Sequence, residues 1–548
     1  MTVLLCTSRE PPSAERYDCW LATTGAASPP GLDPLRRLPR LAARLEQAFV
    51  ESRELWWRLG REMGAAPGGD VAHAPTGGAF GSDFGVMLAW SRLVDGLASE
   101  AATCLVLCDD PWLFRHLADR GGVRAGAPPP LWPRRLLLAM RGWLARAKVA
   151  LKAASAAVRL RGLRGASAGG SALLVYGHPE SDAAGHDAYF GSLMTEMPDL
   201  ERMLHTDCPP ARASELARDG RTGSLHAFGN PLYAPALLFE RWRPARAHAR
   251  GPLGWLVRRA AAKENGGGGP AMNRWQCHCQ QRWLRRARPR RVAWPWENHA
   301  WERALCRAAR RLGVATLGYQ HTVVGPHQLN YSPATNPDGL ASLPDLVVAN
   351  GPAYRRELAA FGVPPERLAV GGAFRFAGVD GSRHDPGGPV FVPLSAIPDA
   401  ARAQLKAARL LAAAGRRVLV KEHPMYPLPF AEAPNLARAS APLARQQGLA
   451  AVVYATGTSG LEALLLGIPT YRLLLEDRIA IDVLPEGLSA RPVTLEDAVS
   501  ALAAAGPPPA VRREDILAPV DLGLWRRWLG EAPAAAGRRP APALACAT

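Results

Sequence analysis

Short apolar runs alternate with stretches of helical periodicity along most of the chain. Val3–Cys6, Cys19–Thr23, Cys104–Cys108, a run from Ser171, Arg291–Trp296, Val314–Tyr319, a run from Leu346, Leu368–Gly372, Val390–Pro393, Val418–Val420 and Ala451–Tyr454 read as buried strands. Glu46–Leu59, Gly85–Ala98, Trp301–Leu312, Tyr354–Phe361, Ala400–Ala414 and Leu461–Leu466 place apolar residues at helical spacing, and TLEDAVSALAAAG beyond Val493 reads as a final amphipathic helix. Such alternation predicts an α/β fold with parallel, doubly wound sheets. The domains expected are 1–345, 346–530 and a disordered Ala/Pro/Arg-rich tail over 531–548. Pro75–Asp83, Gly266–Gly269 and Asp380–Pro389 read as loops, the second flexible, and MNRWQCHCQQRWLRRARPRR reads as a basic helix with a linker.

One segment breaks the alternation. LWPRRLLLAMRGWLARAKVALKAASAAVRLRGLRG, within a helical insertion over about 126–168, carries nine basic residues in 131–164 and no acid. Arg134, Arg141, Lys148, Lys152 and Arg159 share one helical stripe; Leu137, Met140, Leu144, Ala147, Leu151, Ala154 and Val158 share another. Two readings remain open: a helix lying on an anionic membrane, or an insertion that packs its apolar stripe on the core and solvates the basic one.

Composition narrows the partners. With 66 Lys and Arg against 48 Asp and Glu, the net charge of +18 favours anions: nucleic acid, anionic lipid, or phosphorylated and acidic glycans. The basic residues lie in helices without an aromatic-studded recognition motif, which argues against nucleic acid. No apolar run is long enough to span a bilayer, and MTVLLCTSREPPSAERYDCW lacks a basic leader and a cleavage site. The expected place is the cytoplasm, with a peripheral position on the inner face of the plasma membrane if the basic helix docks there. The nine cysteines form no framework and are expected as reduced thiols. Cys277-His278-Cys279 lacks zinc spacing, and no metal site is expected.

Polar chemistry gathers at strand exits, where open α/β sheets bind ligands. Lys421, Glu422, His423 and Pro424 follow one strand; Thr456, Gly457, Thr458, Ser459 and Gly460 follow another and open a helix containing Glu462. Free N–H groups at that helix start suit a phosphate. In the first half, His178 and Glu180, then Glu297, then His321 stand at three further exits.

The pair KEHP and TGTSGLEALLLGIP, with VVANGPAYRRELAAFGVPPERLAVGGAFRF upstream, resembles bacterial capsule and surface-carbohydrate glycosyltransferases of the two-Rossmann GT-B fold, including Kdo transferases and polysialyltransferases. WENHAWERALCRAARRLGVATLGYQHTVVGPH resembles a narrower group, the surface carbohydrate biosynthesis proteins. The resemblance implies two Rossmann-like domains, with His423, Pro424, Thr458 and Ser459 on the phosphate and ribose of a CMP-sugar. It implies a donor used as substrate, no cofactor, and a glycan or lipid-linked acceptor in capsule or lipopolysaccharide assembly. The Asp/Glu-Asp/Glu-Gly motif that supplies the base in capsule transferases is missing, Pro337-Asp338-Gly339 being its nearest remnant. An inactive homologue therefore stays open.

The residues themselves support transfer without a metal. Lys421, His423 and the N–H groups of Gly457–Gly460 can neutralise a departing phosphate, and no Asp-x-Asp pair is present to hold a divalent cation. The candidate bases are His321, Glu297 and Glu180, with His178 and Asp338 behind them. His321 would act from its ordinary pKa, whereas Glu297 would need burial to raise its own. The leading expectation is an inverting glycosyltransferase; the rivals are a polyol-phosphate transferase of teichoic-acid type and a membrane-associated scaffold with a decayed fold.

Overall fold

A computed structural model of the chain describes residues 3–10, 16–66, 68–74, 77, 82–165, 169–376, 383–424, 426–475, 478–504, 506 and 510–530. The loops expected over Pro75–Asp83 and Asp380–Pro389 fall partly, and the tail from Glu531 wholly, outside these residues. The fold is α/β, and its sheets are parallel throughout.

Three sheets are present among the described residues. A four-stranded sheet, in the order β2-β3-β1-β4, contains β1 (Val3–Cys6), β2 (Cys19–Ala22), β3 (Cys104–Leu107) and β4 (Val123–Ala125). A seven-stranded sheet, in the order β11-β10-β9-β8-β5-β6-β7, comprises β5 (Ser171–Val175), β6 (Glu201–Leu204), β7 (Thr222–Ser224), β8 (Arg291–Pro295), β9 (Ala315–Gln320), β10 (Leu346–Ala349) and β11 (Leu368–Val370). A six-stranded sheet, in the order β14-β13-β12-β15-β16-β17, comprises β12 (Val390–Pro393), β13 (Val418–Lys421), β14 (Leu436–Arg438), β15 (Ala451–Tyr454), β16 (Thr470–Leu473) and β17 (Arg491–Val493). The two larger sheets are the Rossmann-like units expected; the smaller one gathers the expected strands Val3–Cys6, Cys19–Thr23 and Cys104–Cys108 into a sheet of their own.

Each large sheet reverses its winding once. The chain runs outward from β5 through β6 and β7, then returns beside β5 at β8 and runs the other way. It does the same from β12, returning at β15. Ligands of open α/β sheets sit at the carboxyl ends of strands beside such a reversal. The exits at Tyr176–His178 and Trp296–His299 flank the first reversal; those at Leu394–Ser395 and Ala455–Ser459 flank the second.

Several expectations need correction. The boundary expected between 345 and 346 is displaced, because β10 and β11 complete the seven-stranded sheet and the third sheet starts only at Val390. The chain then returns: helix Leu522–Gly530 buries Trp525 against Tyr319, Phe374 and Phe190, and Trp525 Nε1 donates to Gly371 O at 2.9 Å. The helix expected over Glu46–Leu59 is two, Leu41–Glu51 and Arg53–Gly64, divided at Ser52, whose hydroxyl donates to Ala48 O at 2.7 Å. The glycines at 266–269 make the short turn between helices Gly254–Asn265 and Gly269–Ala287: Gly269 opens the second helix, and Gly268 sits against Val149 of the long basic helix.

The three units form one body. On β16, Arg472 makes a bidentate pair with Glu46 of helix Leu41–Glu51, both bonds at 2.8 Å and both side chains largely buried. His327, in the segment after β9, accepts the N–H of Asp482 at 3.0 Å.

Candidate functional site

The first wall of the site is built on β5, β8 and β9. Asn298 adopts a left-handed backbone (φ 59) beyond β8 and is fully buried, its amide donating to Asn330 O at 2.9 Å and Asn336 Oδ1 at 3.1 Å. Glu302, in the first turn of helix Ala300–Arg311, accepts the N–H groups of Glu297 and Asn298, each at 3.0 Å, and Trp294 Nε1 at 3.1 Å. Burial lifts the Glu302 carboxyl to about 7 despite these donors. The exit is therefore fixed before any ligand arrives.

Glu297 is thereby held between two imidazoles. Its Oε2 lies 2.7 Å from His299 Nε2, and its Oε1 lies 4.0 Å from His321 Nε2. Burial would raise its pKa, but the hydrogen bond from His299 and the charges of both histidines prevail and take it to about 2. Glu297 is thus an anion rather than the raised-pKa carboxyl expected of a base. Burial lowers His299 less than Glu297 raises it, and its pKa moves upward. His321 departs from its ordinary value in the opposite sense: burial takes it to about 4, with Glu297 opposing. The imidazole is neutral at pH 7, only 7% exposed, and its Nδ1 has no hydrogen-bond partner among the described residues. Tyr189 meets its ring edge-on at 5.0 Å and meets His178 at 5.8 Å.

The second wall lies on the six-stranded sheet. β13 and β15 are both parallel to the strand between them, β12, so their carboxyl ends point the same way about two strand spacings, ~10 Å, apart. His423 stands at one exit, half-buried beside Tyr426. At the other, Thr456 is 7% exposed, and its hydroxyl has no hydrogen-bond partner among the described residues. Thr458 donates to Glu462 Oε1 at 3.2 Å. Gly457 has φ 108, a conformation that side chains resist, and a Cβ on Gly460 would lie 2.4 Å from the Tyr454 ring. The turn is therefore tight, with helix Ser459–Leu465 laid directly on Tyr454.

The walls meet. Burial first, and then the charge of His178, lowers the pKa of His423. Arg375, beyond β11 where the chain leaves the seven-stranded sheet, exerts its charge on His178, Tyr189 and His321 of one wall and on Glu462 of the other. Among the described residues no carboxylate pairs with this half-buried guanidinium. Such a cation between two sets of strand exits is suited to a phosphate.

Of the expected residues, His178, Glu297 and His321 share the first wall and His423, Thr456, Thr458 and Glu462 the second, with Gly457, Ser459 and Gly460 forming the turn. It leaves out three expected residues. Lys421 Nζ donates to Ser440 O at 2.7 Å, toward the edge strand β14. Glu180 is exposed, and its carboxylate acts as a charge beside His178. Asp338 accepts from Ser342 Oγ at 2.5 Å and pairs with Arg307 at 3.2 Å, a local turn on helix Ala300–Arg311. Pro424 is exposed beside His423. The sequence places His299 at a strand exit without giving it a role, and it does not single out Arg375, Tyr189 or Glu302. Arg375 lies in the quoted run GGAFRF, where an arginine between two phenylalanines just past a strand was its one signal.

No protein-family model and no characterised protein sequence matches this chain. Solved structures with a similar course of the backbone include UDP-N-acetylglucosamine 2-epimerase from Rickettsia bellii, at 13% identity over 55% of this chain and 78% of the epimerase, TM-score 0.31. The glycotransferase of kitacinnamycin matches at 14% identity over 61% of this chain and 90% of its own, TM-score 0.35. The lipopolysaccharide outer core galactosyltransferase WaaB matches at 12% identity over 60% and 88%, TM-score 0.29. Likeness at this level assigns no activity.

Proposed function

We propose that the chain is an inverting, metal-independent glycosyltransferase of bacterial surface-polysaccharide assembly, using a nucleotide sugar, with CMP favoured as the nucleotide. The observation that carries this reading is the convergence of both winding reversals on Arg375. Arg375 and His423 would neutralise the donor phosphate, and the hydroxyls of Thr456 and Thr458 would complete its hydrogen bonds. Lys421 has no part in it, because its ammonium donates to Ser440 O toward the far edge of the sheet.

The acceptor hydroxyl would stand beside the His321 imidazole. Its oxygen attacks the anomeric carbon from the face opposite the phosphate, the bond from that carbon to the phosphate oxygen breaks, and the electron pair leaves with the phosphate. The hydroxyl proton passes to His321, whose imidazolium is stabilised by the Glu297 anion 4.0 Å away. A neutral imidazole beside a fixed carboxylate suits this step.

The test is a thermal-shift and calorimetric titration of the purified chain with CMP, CDP, UDP and GDP. A shift with CMP that Arg375→Ala abolishes is expected. CMP is also the leaving group when a polyol phosphate passes from a CDP-polyol, so turnover of a CDP-polyol without turnover of any CMP-sugar would move the assignment to polyol-phosphate transfer, and silence toward every nucleotide would overturn it in favour of a non-catalytic scaffold.

A further inference from the structure

The long helix Leu131–Arg159 contradicts one of the two readings open from sequence. Its leucine stripe is not packed on the core: Leu144 is 69% exposed, Leu151 73% and Trp132 69%, and Leu137, Met140 and Val158 are also exposed. What faces the protein is a third arc of Leu138 and the small residues Gly142, Ala150, Ala153, Ala156 and Ala157, with Arg146 buried among them. Arg146 donates to Leu238 O at 2.9 Å and Asn265 O at 3.0 Å, and a Cβ on Gly142 would lie 1.8 Å from Asn265 O. At about 3.6 residues per turn, the basic arc of Arg134, Arg141, Lys148, Lys152 and Arg159 adjoins the exposed apolar arc. The segment Pro231–Phe239, packed along the helix, adds exposed Leu232 and Phe239.

We infer that this face docks on an anionic lipid leaflet, the apolar arc entering the acyl boundary and the basic arc meeting the lipid phosphates. Charge complementarity selects the occupant. The helix carries seven basic residues and no acid, so two copies set face to face would oppose like charges, whereas an anionic leaflet matches both arcs at once. Soluble polyanions would match only the basic arc. A cavity of ≈ 730 Å³ lies under the basic flank, lined by Lys148, Lys152 and Arg159 on one side and by Trp275, Met272 and Asp207 on the other. Leu151 belongs both to this lining and to the docking face, so the mouth of the cavity would open toward the leaflet. Asp207 follows β6, next to the strand whose exit carries His178, so the same face gives lipid-borne material an approach to the candidate site.

The experiment is sedimentation of the full chain with vesicles of phosphatidylcholine and of phosphatidylglycerol. Binding to phosphatidylglycerol alone is expected, weakened about fivefold by each of Arg141→Gln, Lys148→Gln and Lys152→Gln. The triple variant Leu137→Glu/Leu144→Glu/Leu151→Glu should lose binding by more than about tenfold. All six side chains are exposed, and an unchanged melting midpoint confirms that each variant folds. Equal binding to both lipids, or full binding by the leucine variant, overturns the inference. Self-association without vesicles that Leu144→Glu abolishes assigns it to a second copy and overturns it too. None of these readouts depends on nucleotide binding, so they stand apart from the transferase proposal.

Discussion

Arg375, Glu297 and His321 carry the chemistry at the scale of single residues. Arg375→Ala should weaken nucleotide binding roughly 10- to 100-fold, the loss of about 1.5–3 kcal/mol for a hydrogen bond to a charged group. Arg375→Lys should restore it only partly, because an ammonium lacks the planar fork; calorimetry checks both. His321→Asn should leave nucleotide affinity unchanged and lower kcat by about 10²- to 10⁴-fold, as for loss of a general base. For Glu297, NMR titration should find His299 protonating above the usual histidine range in the native chain and at or below it in Glu297→Gln. The depressed carboxyl contributes stability present above about pH 4.3 and lost as pH falls toward 2; the raised imidazole contributes stability present below about pH 6.5 and lost as pH rises through its folded value. The destabilisation by Glu297→Gln should therefore be greatest between these limits. Candidate residues such as His423 and Thr458 were legible because their types stood at strand exits, a one-dimensional signal. Protonation states were not: Glu297 is an anion because His299 folds back onto it, and His321 is neutral because the surrounding packing excludes water.

Elements succeed or fail by local packing. Strands with continuous apolar runs, such as Val390–Pro393 and Ala451–Tyr454, lie where the sequence places them. β6 was missed because it reads Glu-Arg-Met-Leu; Arg202 is nevertheless fully buried, paired with Asp219 at 2.9 Å and bonded to Thr222 Oγ1 at 2.9 Å. Only neighbouring β7 and its preceding turn supply those partners. Gly460→Ala tests the hydroxyl turn as an element: a methyl group against the Tyr454 ring should cost about 1–3 kcal/mol and displace the turn, seen as a lower melting midpoint with weakened nucleotide binding. The long basic helix shows the limit of periodicity. Its two stripes were plain in the sequence, but which arc met the protein was decided by the small residues between them, where Gly142 lets the helix approach Asn265.

Contacts distant in sequence hold the whole molecule together. Trp525 from the carboxy-terminal helix fills the first Rossmann-like unit, so Trp525→Ala should cost about 3–5 kcal/mol and lower the melting midpoint through that unit rather than the one preceding it in sequence. Glu46→Ala should cost a similar amount, about 3–5 kcal/mol, because it leaves Arg472 buried without its bidentate partner. By itself the sequence determined the fold class, most strands and the polar residues at their exits, because apolar run length, helical spacing and residue chemistry are local properties. Tertiary structure alone decided that Leu346 continues the first large sheet, that helix Leu522–Gly530 returns to it, and that the charge of Arg375 reaches both walls. Those facts depend on which strands pair and which surfaces meet, and strand pairing leaves no mark on the order of residues within a strand.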